Sequence, residues 1–217
     1  MHAILYTILY AKNNSPSIQR IYQVPDAPVI MKNNQQVIDI KMITESQFIE
    51  RFGGLYEHSP WVARAVWAEI SGSKQIERKE LSHRMRAIVD GASDDRKMRL
   101  LRAHPELAGK AAVQGELTPE STDEQSRARL DLCTADEFAT FQRLNSAYND
   151  KFGFPFIMAV RNSTREQILE AFESRLHNTV DHEFDTALAQ VHQIALLRLE
   201  ADASFNTVSR NQDVKND

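Results

Sequence analysis

Residues 182–201 read HEFDTALAQVHQIALLRLEA, and their apolar members recur at helical spacing. Phe184, Leu188, Val191, Ala195 and Leu199 share one stripe, which predicts a long amphipathic helix near the end of the chain. Arg198 interrupts the pattern. At about 100° per residue it falls in the middle of the stripe. An arginine on a buried face cannot give up its charge and needs an anionic partner. That partner is either a core carboxylate such as Glu124 or a carboxylate carried by a ligand.

The same period runs outward from this helix. Ser163 with Glu166 and Thr134 with Glu137 have capping-box spacing, and each pair precedes a helical apolar pattern. Ser93 opens "SDDRKMRLLRA", with two acids in the first turn. Leu81, Met85 and Ile88 recur before Gly91, and Pro60 follows Ser59 at a helix start. Arg175 lies beside Phe172 and reads as structural, pairing with chain groups at a helix end. No alternating pattern of useful length follows Met42. These features predict an all-α domain of seven or eight helices over residues 42–203. Residues 1–41 read as an irregular extension, with Met42 as an alternative start, and residues 204–217 as a polar tail.

Composition narrows the classes of function. The 217 residues are 42% hydrophobic and 26% charged, with a net charge of −4 and no basic clustering, which argues against a nucleic-acid surface. The single cysteine, Cys133, excludes an intrachain disulfide and fits a reducing compartment. The apolar start "MHAILYTILY" is too short to span a bilayer and lacks a positive flank, so neither a membrane anchor nor a secretion signal is expected. His2, His58, His83, His177, His182 and His192 make no metal-binding spacing. No glycine-rich phosphate loop or nucleophile elbow occurs either. A site without metal or organic cofactor is what remains.

Three segments carry candidate chemistry. In "RAHPELAG" (102–109) proline follows His104, so His104 is expected at a helix end, with Pro105 starting the next helix. His104 is then either a cap at a helix junction or an imidazole held toward a cavity, able to move a proton near neutral pH. In "STDEQ" (121–125) Ser121 and Glu124 again have capping-box spacing. The alternative is a polar cluster at a helix N-terminus, where a ligand is read. "KFGFPFIMAV" (151–160) is an apolar turn, either a buried connection or backbone along a pocket wall.

Together, "HPELAGKA", "STDEQSRA", "FGFPFIMAV" and "EFDTALAQVHQIALLRLEA", in this order, resemble the OHCU decarboxylase family of urate breakdown. OHCU is 2-oxo-4-hydroxy-4-carboxy-5-ureidoimidazoline. The resemblance implies an all-helical, cytoplasmic homodimer that converts this small molecule to (S)-allantoin without a cofactor. It also implies a reaction that runs uncatalysed to racemic product. His104 takes the place of the catalytic histidine and Glu124 that of the essential carboxylate. Pro105, the segment Ser121, Thr122, Asp123, Glu124 and Gln125, and Arg198 match substrate contacts. So does the backbone of Phe156, Ile157, Met158, Ala159 and Val160. Arg129 departs from the glycine many relatives carry, which puts local helix packing in question. Two other readings stay open: a cofactor-free lyase or hydrolase for another ureido or imidazole compound, and an inactive helical interaction module. The second predicts no pocket shared by His104, Glu124 and Arg198.

Overall fold

The structure is a computed structural model that describes residues 37–109 and 115–202. Most of the expected extension (1–41) and the expected tail (204–217) lie outside the described residues. Residues 37–41 belong to the packed body. Val37–Asp39 form strand β1, antiparallel to β2 (Gln75–Glu77), with Ile38 opposite Ile76 and both side chains buried.

The remaining architecture is helical, as the spacing predicts. Eight helices occur among the described residues: α1 (Glu45–Phe52), α2 (Trp61–Ile70), α3 (Arg78–Asp90), α4 (Asp94–Arg102), α5 (Pro119–Arg127), α6 (Ala135–Phe152), α7 (Arg165–Arg175) and α8 (Val180–Ala201). The long α8 packs against α3, α4 and α6. Its buried face is wider than the apolar stripe and takes in Glu183, His192 and Arg198. None of these helices is long and apolar enough to cross a membrane.

Capping explains where the helices begin, and it corrects two expectations. Thr134 and Glu137 cap α6 reciprocally, as expected, at 2.7 and 3.2 Å. The box on α7 is Thr164 with Gln167, not Ser163 with Glu166. The N–H of Ser163 closes a turn onto the Val160 carbonyl (3.0 Å), so the capping position passes to the next hydroxyl. On α5 the cap is Thr118, whose Oγ1 accepts from the Ser121 N–H at 3.2 Å. Pro119 takes the first helical position, where its missing N–H costs nothing. Ser121 and Glu124 therefore lie inside the helix, and their side chains are free for other work.

The junction after α4 also differs from expectation. Pro105 does not begin a helix; residues 106–109 form a turn, with Ala108 at φ 49°. Three side-chain amides replace the helical hydrogen bonds there. Gln125 Nε2 donates to the Glu106 carbonyl, Asn145 Nδ2 to Leu107 and Gln142 Nε2 to Ala108, at 3.2, 3.0 and 2.9 Å. Competition from such amides stops helix propagation in a segment that proline has already interrupted.

Arg129 adopts φ 57°, the left-handed region that favours glycine. Its backbone contacts survive loss of the side chain. Arg129→Gly should therefore raise stability by about 0.5–1 kcal/mol, about 1–4 °C in Tm for a body of this size. A melting curve displaced downward would show that the Arg129 side chain supports the fold.

Candidate active site

Arg198 finds the carboxylate expected of it. Its Nε and Nη2 donate to the two oxygens of Glu124 at 2.8 and 2.9 Å, a bidentate pair joining α8 to α5. The other edge meets Glu57, a residue the sequence reading did not single out, at 2.8 Å from Nη1. Nη1 also donates to the Gly54 carbonyl (3.1 Å), and Nη2 to Ser121 Oγ (3.3 Å). All five guanidinium N–H groups are thus used within the protein. Burial opposes ionisation of Arg198, but Glu124 and Glu57 more than offset it and raise its pKa.

His104 sits just beyond α4, 8% exposed, with Nδ1 2.9 Å from the Leu100 carbonyl. A carbonyl only accepts, so Nδ1 carries the hydrogen and Nε2 carries the lone pair. Burial pushes the pKa of His104 down to about 4. The Leu100 hydrogen bond and the charge of Glu57 work against that shift, whereas Arg198 and His58 add to it. At neutral pH the ring is an uncharged base.

The apolar turn after α6 supplies one wall. Phe156 stacks on Phe172 with centroids 3.9 Å apart, and the Arg175 guanidinium lies 4.5 Å from the Phe156 ring. Arg175 also donates to the Ile157 carbonyl (2.7 Å) and to the fully buried Glu183 (2.8 Å). Glu183 is further satisfied by Asn178 (2.6 Å) and by the Tyr148 hydroxyl. A buried ion pair is tolerable when its remaining lone pairs are filled in this way. The structural role expected of Arg175 is therefore observed. Gln190 of α8 accepts from the Ala159 N–H at 3.0 Å, so the loop is pinned from two sides.

His104, Pro105, Ser121, Glu124, Gln125 and Arg198 line one cavity, walled by Phe156, Ile157, Met158 and Val160. A purely structural set of residues predicts no such convergence. Three expected residues lie elsewhere. Asp123 pairs with Arg127 on the exposed side of α5 at 2.7 Å. The Thr122 hydroxyl donates to the Thr118 carbonyl at 2.9 Å. Ala159 does not line the cavity. The helix period explains the first two: Ser121, Glu124 and Gln125 share a face that positions 122 and 123 do not. The cavity is about 30 Å³, room for about two waters.

The buried histidines make stability depend on acidity. Burial lowers the pKa of His192 as well as that of His104. The unfolded chain therefore binds more protons between the ordinary value of 6.5 and the folded value of about 4. The stability associated with His104 is complete above pH 6.5 and is lost as pH falls toward 4. Denaturant titrations across this window should show the advantage of wild type over His104→Asn shrinking with acidity. A constant gap would contradict the burial of a neutral ring.

Residues 41–200 match the sequence model of the family described as OHCU decarboxylase. The 2-oxo-4-hydroxy-4-carboxy-5-ureidoimidazoline decarboxylase of Halalkalicoccus jeotgali is 42% identical over 76% of this chain and 89% of that protein. The Xenopus laevis protein of the same name is 34% identical over 74% and 90%. Among solved structures, an (S)-allantoin synthase superposes with a TM-score of 0.59 at 36% identity, covering 75% of this chain. The chain spans about half (52%) the length of that neighbour. With the family model and relatives of this identity matching across the helical body, the chain belongs to the OHCU decarboxylase family.

Proposed function

We propose that this chain is a decarboxylase converting OHCU to (S)-allantoin in urate degradation. The observation that carries the reading is one cavity holding His104, Glu124 and the 156–160 loop, in a chain of this family. In OHCU the carboxylate and a hydroxyl share ring carbon 4, beside the C=N at carbon 5. As the carboxylate bond breaks, CO2 leaves and its electron pair forms a double bond between carbons 4 and 5. The C=N pair moves onto the ring nitrogen, which takes a proton from water. The substrate is its own electron sink, and the reaction needs no metal or organic cofactor. The hydroxyl gives up its proton as it becomes the product carbonyl, and carbon 5 takes one proton on one face.

His104 is assigned the proton transfers. Its Nε2 lone pair takes the hydroxyl proton and returns it to carbon 5, a role worth on the order of 10²–10⁴-fold in rate. Glu124 lines the cavity while held from behind by Arg198, and its remaining lone pairs accept N–H groups of the ring or ureido arm. Ser121, Gln125 and Arg198 have their polar groups committed to the protein and position the site. Pro105, Phe156, Ile157, Met158 and Val160 form the wall for the flat heterocycle, where low polarity strengthens the electrostatic contacts. The family resemblance further supports a cytoplasmic homodimer, with residues 42–203 as the catalytic domain. The test is the loss of freshly generated OHCU with and without the protein. Accelerated CO2 release supports the reading, and a rate equal to buffer alone refutes it.

A further inference from the structure

Glu57 lies in the loop between α1 and α2, and the loop is built to turn it inward. The Tyr56 hydroxyl is fixed 2.9 Å from His192 Nδ1 on α8. The Tyr56 carbonyl accepts from the Ser59 N–H (3.0 Å), closing a four-residue turn around Glu57 and His58. His58 takes φ 45°, a left-handed conformation that is costly for a residue with a side chain. The strained turn leaves Glu57 only 2% exposed.

Two of the three partners of that carboxylate, Ser121 and Arg198, line the cavity, and the third, Thr118, caps the helix that carries Ser121 and Glu124. Thr118 Oγ1 donates to Oε1 at 2.8 Å, Ser121 Oγ lies 3.2 Å from both oxygens, and Arg198 Nη1 is 2.8 Å from Oε2. Glu57 itself does not line the cavity, whereas Glu124 does. One guanidinium is therefore shared by two carboxylates on different edges, one facing the substrate space and one behind it. Burial alone would raise the pKa of Glu57, but Arg198 and the Thr118 hydrogen bond outweigh it, and the group is ionised.

We propose that Glu57 is a positioning residue for decarboxylation: by clamping the rear edge of Arg198 and the Ser121 hydroxyl, it fixes Glu124 in the cavity. The inference rests on the decarboxylase reading given above. Without the rear clamp, Nη1 loses its charged partner, and the guanidinium and Glu124 turn together. The charge of Glu57 also favours the imidazolium formed while His104 holds the proton.

Glu57→Gln keeps the shape and one acceptor oxygen but removes the charge. Displacing an oriented group by about 1 Å costs about 10²-fold, so kcat should fall by about that factor. Substrate enters the same cavity, so KM should stay within about threefold of wild type. Glu57→Asp keeps the charge but falls short of Arg198, and its kcat should fall as well. The 15N–1H signal of Arg198 Nε, sharp and slow to exchange in the wild type, should broaden in both variants. Unchanged kcat, a raised KM alone, or native turnover in Glu57→Asp would each overturn the proposal. So would the unfolding of both variants, which would make Glu57 a fold residue. If the wild type does not turn over OHCU, the decarboxylase reading falls, and the Nε signal still decides whether the clamp exists.

Discussion

His104→Asn is expected to keep the fold and lose on the order of 10²–10⁴-fold in turnover. The asparagine amide can donate to the Leu100 carbonyl as Nδ1 does at 2.9 Å, so the junction after α4 keeps its hydrogen bond. What disappears is the Nε2 lone pair, the only basic atom of that ring. Residual product should form at the rate of the spontaneous reaction and lose its handedness, because water protonates carbon 5 from either face. Turnover at the native rate with (S)-allantoin as product would remove His104 from the chemistry.

Arg198→Ala should destabilise the protein more than any other single change in the site. It leaves Glu57 and Glu124 without their cation, and Gly54 and Ser121 without a donor. Removing one partner of a buried pair costs about 3–5 kcal/mol, which for a body of this size lowers Tm by about 6–20 °C. Turnover should fall with it, since Glu124 loses its bidentate anchor. Arg198→Lys should recover part of the stability, because an ammonium supplies the charge but cannot span both carboxylates. A Tm within 2 °C of wild type, with only KM raised, would instead make Arg198 a direct substrate ligand, as the family resemblance implies.

The sequence disclosed the parts of this site that follow a period. Arg198 was legible because a charge in an apolar stripe must be neutralised, and Glu124 was a plausible partner. The helical body followed from the same regular spacing. Glu57 was not legible. It reaches the site through a left-handed turn at His58, and an isolated acid in a loop carries no periodic signal. The cap at Thr164 shows a different limit: the adjacent hydroxyls of Ser163 and Thr164 each had a suitable partner three residues on, and the turn of Ser163 onto Val160 chose between them. On α5, Pro119 favoured Thr118 in principle, since proline prefers the first helical position. The turn at residues 106–109 was invisible for a third reason. The amides that hold it come from Gln125, Gln142 and Asn145, on two other helices.

The central claim is that this cavity decarboxylates OHCU and delivers a proton to one face. Circular dichroism of the product formed from freshly generated OHCU measures both. The signal of (S)-allantoin should appear at a rate proportional to wild-type protein and be absent with His104→Asn. Product that stays optically silent, forming no faster than in buffer, would contradict the account.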